Sequence, residues 1–375
     1  MDFVFFHLMT WPDYAAAPKG FPTPNRDFDP KRGQELYKTY IETMIFAEEC
    51  GFSWVGCNEH HFSPYGLMPN PNLIGSILAT RTKSIKIAIL GNILPINNPI
   101  RVAEEYAMID VLSGGRLVAG FMRGIPHEFI AYNTPAGESR ARQREAAQLI
   151  IKAWTEPEPF AWEGEFYQYR SVSIWPRPYQ TSPHPPILMS ASNPESAVFA
   201  AENRAMMGMV FIPDLRLARA NIDLYRKTAG ECGWEPGPEH ILIGASTCIA
   251  ETDALARQRF YEATEYLNKV LMNPTLDALR LVVQKTRYFQ DERVGKGYAS
   301  RLGAITSFDL DKQIEAGSVL CGSPETVVKQ IKRYKNELGN GKILINMQVG
   351  NIRNDWVREG MALFRDRVLP EVRAL

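Results

Sequence analysis

An excess charge of either sign is missing from this chain. Lys plus Arg and Asp plus Glu both number 42 in 375 residues, so the formal net charge is zero. That balance argues against nucleic acid or an anionic membrane surface as the main partner, because both select a strongly basic face. It leaves room for a local basic pocket. Cysteine is scarce as well. Cys50, Cys57, Cys232, Cys248 and Cys321 are odd in number and scattered, which fits reduced, mostly buried thiols and not a disulfide framework. There is no Cys-x-x-Cys and no His-Glu-x-x-His, so the common zinc patterns are lacking and no metal is expected. No apolar run approaches the length that spans a bilayer. The first residues show no basic segment leading into an apolar stretch and a cleavage site; Phe3-Val4-Phe5-Phe6-His7-Leu8 reads as a strand. A cytoplasmic protein is the expectation.

Apolar residues, at 45%, suffice for a large core. Strand-like and helix-like stretches alternate from end to end. Strands are expected at 3–8, 52–58, 85–90, 117–121, 187–189, 207–212, 241–249 and 342–347. Helices are expected at 34–50, 70–82, 100–112, 139–154, 194–202, 215–232, 324–338 and 356–373. Eight such alternations in one chain point to a parallel (β/α)8 barrel, a TIM barrel, over a doubly wound sheet. One domain over 1–375 is expected, with two insertions. At about 155–185, rich in proline, Ala161 to Tyr167 reads as a hairpin around Gly164. At about 265–318 the longer insertion has the length of a lid, and a packing helix or subunit contact would explain it equally well.

Two of only six histidines sit in Glu59-His60-His61-Phe62, after the β-branched and aromatic run ending at Cys57. In a barrel of this kind the C-terminal strand edge is where chemistry sits, and a histidine there can move a proton near neutral pH. Adjacent residues on extended chain point to opposite faces. The two imidazoles are therefore poorly placed to share one ion. Such a tripeptide could also be purely structural.

These residues have company. They stand with Ala47-Glu48-Glu49-Cys50-Gly51-Phe52, with Gly66-Leu67-Met68-Pro69-Asn70-Pro71, and with Leu94-Pro95 and Pro99-Ile100-Arg101. Further on come Gly114-Gly115-Arg116-Leu117, Gly120-Phe121-Met122-Arg123-Gly124, Ser139-Arg140-Ala141 and Gly322-Ser323-Pro324-Glu325. In this order and spacing, over nearly the whole chain, the sequence resembles the bacterial luciferase-like flavin monooxygenases. The resemblance implies an enzyme on a (β/α)8 barrel that binds reduced FMN, usually delivered by a separate flavin reductase. It also implies activation of O2 as a C4a-(hydro)peroxyflavin. Hydroxylation, epoxidation and insertion beside a carbonyl all remain open as outcomes.

By the same resemblance, His60 matches the family's catalytic histidine. From the residues themselves, Glu59 is expected to orient or bias a neighbouring ring, with its adjacency to His60 leaving open which one, and His61 to support the loop. Arg123 and Arg140 match arginines near the flavin phosphate; a guanidinium grips phosphate bidentately, although a surface salt bridge would account for either. Ser192, Asn193 and Ser196 match the phosphate grip. They precede a predicted helix whose free N–H groups suit an anion, and a plain helix cap would use the same residues. Ser192 departs from the glutamate of the luciferase α chain. Met122 stands at the position of luciferase's reactive flavin-edge cysteine, and a thioether cannot ionise. At Leu90-Gly91-Asn92 the family often has a non-prolyl cis peptide against the flavin, with Asn92 bonding the ring edge. An ordinary strand-end turn fits these residues equally.

Met9, Trp11, Phe62, Tyr65, Met122 and Phe211 fall at predicted strand ends. Together they suggest a small or medium, largely apolar organic substrate. The apolar helices at 70–82 and 100–112 suggest the contact of a homodimer, as the family pairs two barrels there. Two other readings stay open: a dehydrogenase of the same fold moving hydride with the deazaflavin F420, and a non-catalytic flavin-binding barrel.

Overall fold

The computed structural model describes residues 1–276, 278, 282 and 308–375. Its main sheet runs through β1 (Asp2–His7), β2 (Trp54–Cys57), β3 (Lys86–Ile93) and β4 (Leu117–Met122). After a separate antiparallel pair, β5 (Phe160–Glu163) and β6 (Gln168–Val172), it continues through β7 (Ile187–Ser190), β8 (Met206–Met209), β9 (Ile241–Ile249), β10 (Val319–Gly322) and β11 (Lys342–Gln348). β11 pairs with β1, and β8 pairs with β9, so all but β10 of these parallel strands close into a ring of eight. The fold is a TIM barrel.

Strand alternation divides the core in two. Val4, Phe6, Leu8, Ala88, Leu90, Val118, Leu188, Leu242 and Leu344 pack together inside the barrel. Their neighbours Phe3, Phe5, Ile87, Ile89, Ala119, Phe121, Ile343 and Ile345 face the surrounding helices. Side chains of period two make this sorting unavoidable once both faces are covered. The helices begin sharply. α1 (Pro30–Glu49), α2 (Pro71–Arg81), α3 (Pro99–Ser113) and, further on, α6 (Pro194–Glu202) each carry Pro in the first turn behind a capping Asp29, Asn70, Asn98 or Asn193. The cap oxygen accepts orphan backbone N–H groups, and proline gives up none that the helix needs.

Several expectations change. α4 (Pro126–Ala131) fills a stretch for which no element is expected, ahead of α5 (Ser139–Thr155). Its six residues offer too little periodicity to be seen in sequence. β10 was not expected either; it pairs only with Ser246–Ile249 of β9, outside the ring. β8 stops at Met209, leaving Phe211 in a bend beyond it. The hairpin around Gly164 is present, anchored by Glu145 of α5, which accepts from Trp162 Nε1 and from the Phe166 and Tyr167 backbone N–H groups at 2.9–3.1 Å. The central part of the 265–318 insertion lies outside the described residues. No helix among the described residues is long and apolar enough to cross a membrane.

Candidate active site

The C-terminal ends of β1 to β4, β7 and β8 surround one cavity. At its β2 end the chain leaves the strand through Asn58, Glu59, His60 and His61. The two imidazoles take different carboxylates. His61 Nε2 lies 2.9 Å from Glu59 Oε1. Glu59 also accepts from the Ile93 N–H at 2.6 Å and from Asn97 Nδ2 at 3.0 Å, and both residues of the pair are buried. Glu59 therefore orients His61 and not His60.

His60 Nδ1 lies 2.9 Å from Glu128 Oε1, while Glu128 Oε2 accepts the His61 backbone N–H at 3.1 Å. His127 Nε2 approaches the same Oε1 to 2.9 Å, off the line of a good hydrogen bond. Burial alone would push the Glu128 carboxyl up. The close approach of the His127 and His60 imidazoles outweighs it and brings the pKa down to about 2. An ionised carboxylate only accepts, so it places the His60 proton on Nδ1. Nε2 is left to the cavity, where the ring stands edge-on to Tyr65 at 4.6 Å. His60, His127 and Glu128 also form a group of potential metal-ligand atoms within 4.8 Å of one another. Ordinary N···O hydrogen-bond spacings account for that cluster.

Across the cavity, β7 runs through Ser192 into α6. Asn193 and Ser196 close a capping box: Asn193 Oδ1 accepts the Ser196 N–H at 3.1 Å and Ser196 Oγ accepts the Asn193 N–H at 3.2 Å. Arg123, Arg140 and Arg144 line the same end. Arg140 pairs with Glu195 in the first turn of α6, and Arg144 reaches the other oxygen of Glu195 at 3.7 Å. Leu90, Gly91, Met122, Phe6, Leu8 and Phe211 supply the apolar walls. Guanidinium groups and a helix N-terminus at one end, with apolar walls at the other, form a donor set that fits a planar ring bearing a terminal phosphate, such as FMN.

The family model described as luciferase-like monooxygenase matches residues 20–340. The chain belongs to this family. It is 24% identical to the alkanal monooxygenase alpha chain of Photobacterium leiognathi, over 91% of this chain and 94% of that one. It is 32% identical to the oxygenase component of flavin-dependent trigonelline monooxygenase from Acinetobacter baylyi, over 47% of this chain and 49% of that one. Among solved structures it resembles monooxygenase RslO1 from Streptomyces bottropensis, with TM-score 0.74, 26% identity and 99% of both chains covered. Two further structures share the fold at lower identity. The oxygenating constituent of 3,6-diketocamphane monooxygenase of Pseudomonas putida, in complex with FMN, has TM-score 0.70 and 21% identity over 95% and 98% of the chains. An F420-dependent secondary alcohol dehydrogenase has TM-score 0.70 and 16% identity over 99% of each. The protein is thus an oxidoreductase of the flavin-dependent monooxygenase kind.

In this luciferase-like barrel, most of the expected site residues converge. Glu59, His60, Tyr65, Leu90, Gly91, Met122, Arg123, Arg140, Ser192, Asn193, Ser196 and Phe211 share the cavity. Four do not. Asn92 is turned outward, its amide exchanging hydrogen bonds with that of Asn72 at 2.9 and 3.2 Å. Met9 is wholly buried in the core outside the barrel. Trp11 and Phe62 belong to a separate cleft with Phe28, Pro22 and Leu67. The Leu90-Gly91-Asn92 segment is neither a turn nor a cis peptide. The only cis bonds among the described residues precede proline, and β3 continues through Asn92 with a bulge between Ile89 and Asn92. A Cβ on Gly120 would fall 2.0 Å from Ile89 O, so the bulge packs directly onto β4. Gly91 likewise makes room for the Met122 side chain. Glu128 and Arg144 were missed. Pro126-His127-Glu128 carries a proline helix start and a second histidine, the one signal that could have found Glu128.

Proposed function

We propose that this protein is the oxygenase of a two-component system, which takes reduced FMN from a separate reductase and oxygenates a small or medium organic substrate with O2. Arg123, Arg140, Ser192, Asn193 and Ser196 hold the flavin phosphate, with Arg144 beside them. Leu90, Gly91 and Met122 face the ring. When bound, reduced FMN supplies the electrons that activate O2. His60 gives and takes the proton at Nε2, while Glu128 holds Nδ1 and so keeps the ring in one orientation and tautomer. Glu59 acts through His61, bracing the loop that carries His60. Tyr65 and Phe211 form part of the substrate wall.

The observation that carries this reading is that His60, held through Nδ1 by Glu128, lines the same cavity as the guanidinium groups and the α6 N-terminus. The exposed apolar residues Leu73 and Ile77 of α2 and Met108, Val111 and Leu112 of α3 support a homodimer through these helices.

The test is direct. Protein, reduced FMN and 18O2 are mixed with candidate substrates. One 18O atom in the product, with O2 uptake, is expected. Because F420-dependent enzymes share the fold, reduced FMN and F420 are also titrated side by side. Tighter F420 binding, or substrate turnover with no O2 uptake, would replace this reading with hydride transfer.

A further inference from the structure

Met122 carries the one sulfur-bearing side chain on the cavity wall. Among the described residues none of the five cysteines lines the cavity, and of the 13 methionines only Met122 does. It ends β4, is 9% exposed and packs with Phe6, Leu8 and Leu90 of the barrel interior. On neighbouring β3, Gly91 has no side chain, and Met122 fills the space that one would take. A Cβ on Gly91 would clash with Met122 Cβ and Cγ and stand 4.0 Å from its Sδ. Both residues line the cavity, so the thioether side chain forms the wall where Gly91 leaves the backbone bare. That wall is the one the oxygenase reading gives to the flavin ring.

A thioether is polarisable and reacts with peroxides without having to ionise; its product is methionine sulfoxide. Reduced flavin and O2 give a hydroperoxide, whose distal oxygen goes to the substrate when one is bound. With no substrate, Met122 is the most readily oxidised side chain on the cavity. In that transfer an S–O bond forms and the O–O bond breaks. The proton of the distal oxygen passes to the departing one, and the flavin hydroxide left behind sheds water to give oxidised FMN. Sulfur gives up two electrons, reduced flavin gives up two, and O2 takes all four.

We infer that Met122 is a self-oxidation site: turnover without substrate converts its thioether to the sulfoxide. The sulfoxide puts a polar acceptor into an apolar wall and so weakens the binding of apolar substrates. The inference rests on the oxygenase reading of the cavity and gives uncoupled turnover a covalent consequence.

Peptide mapping by mass tests it. The protein charged with reduced FMN is mixed with 18O2 and catalase, with no substrate. Met122 is expected to gain one 18O atom while Met108, 50% exposed on α3, gains none. H2O2 added to the same protein without flavin should favour Met108, because exposure then decides. Label on the whole protein should be lost in Met122→Leu. The wild-type map stands by itself if Met122→Leu does not fold. An unlabelled Met122 after the bound flavin has been reoxidised overturns the inference. So does equal labelling of Met108, or label undiminished in Met122→Leu, either of which means that the oxidant acted from solution. A preference of added H2O2 for Met122 also overturns it, since delivery from the flavin would then explain nothing. Failure of the wild type to bind reduced FMN is a separate result: it sinks the oxygenase reading, and the inference falls with it.

Discussion

His60 Nδ1 and the buried carboxylate of Glu128 lie 2.9 Å apart, although 68 positions separate them in the chain. α4 exists to make that contact: its first turn sets Glu128 beneath the end of β2. Held down to about pKa 2, Glu128 keeps its charge throughout the neutral range. Glu128→Gln removes the charge at nearly constant shape. Product formed per FMN oxidised should fall about 10²-fold, the low end of the range for a proton-transfer group, and H2O2 release should rise to match. FMN affinity should stay within twofold. Unchanged coupling would reduce Glu128 to a structural role.

The histidine pair offers a sharper contrast. His60→Ala should leave FMN binding nearly intact and cut product formation about 10²–10⁴-fold. His61→Ala strips one of three partners from buried Glu59 and should cost stability of about 1–3 kcal/mol, with a smaller effect on chemistry. Denaturant titration and product yield on the same two variants check this. The opposite pattern would exchange the two roles.

Much of this site was legible because local rules governed it. Opposite-facing neighbours on extended chain already implied that His60 and His61 would not share a ligand, and they take separate carboxylates. Asn193-Pro194 announced the start of α6 at the right residue. What stayed hidden depends on distant partners. Nothing near Glu59 says which imidazole it will meet. The partner of His60 comes from a six-residue helix with too few turns to show a period. Asn92 was read as an end because sequence does not show that β3 bulges and runs on to Ile93. The apolar residues of α2 and α3 also needed the structure to sort them. Ile74, Leu78, Val102 and Ile109 serve the protein's own core, whereas Leu73, Ile77 and Met108 face outward.

Acid stability follows from two carboxylates. In Glu48, burial raises the pKa, but hydrogen bonds from the backbone N–H groups of Ser84, Ile85 and Lys83 prevail and bring it to about 2. Glu128 is depressed to the same level. Both ordinarily titrate at 4.5. A depressed folded pKa adds stability that is fully present above the unfolded value and disappears as pH falls toward the folded one. Melting temperature should therefore decline between about pH 4.5 and 2. Glu48→Gln should flatten that decline. A wild-type melting temperature that is flat across this window would contradict both assignments.

Phosphate recognition is tested at Arg123. Arg123 follows β4 and lines the cavity. Arg123→Ala should weaken reduced FMN by about 1.5–3 kcal/mol, the worth of a charged hydrogen bond. Riboflavin, which lacks the phosphate, should lose little. Equal losses for both ligands would place Arg123 at the ring instead. Glu195→Gln should tighten FMN modestly by removing a competing anion. Fluorescence titration reads all three effects.

Assembly is tested on the outer face of α2 and α3. Leu73 is 65% and Met108 50% exposed, with Ile77, Val111 and Leu112 around them. Apolar side chains gathered this way on neighbouring helices usually mark a contact with another protein. A second copy of the same face is the simplest partner, because a two-fold contact is self-complementary. Light scattering at micromolar concentration should give twice the 42.4 kDa chain mass. Leu73→Glu with Met108→Glu should return the monomer with its circular dichroism unchanged, since neither side chain packs in the core. A wild-type monomer at that concentration would rule out this pairing. A double variant that stays dimeric would move the contact to another face.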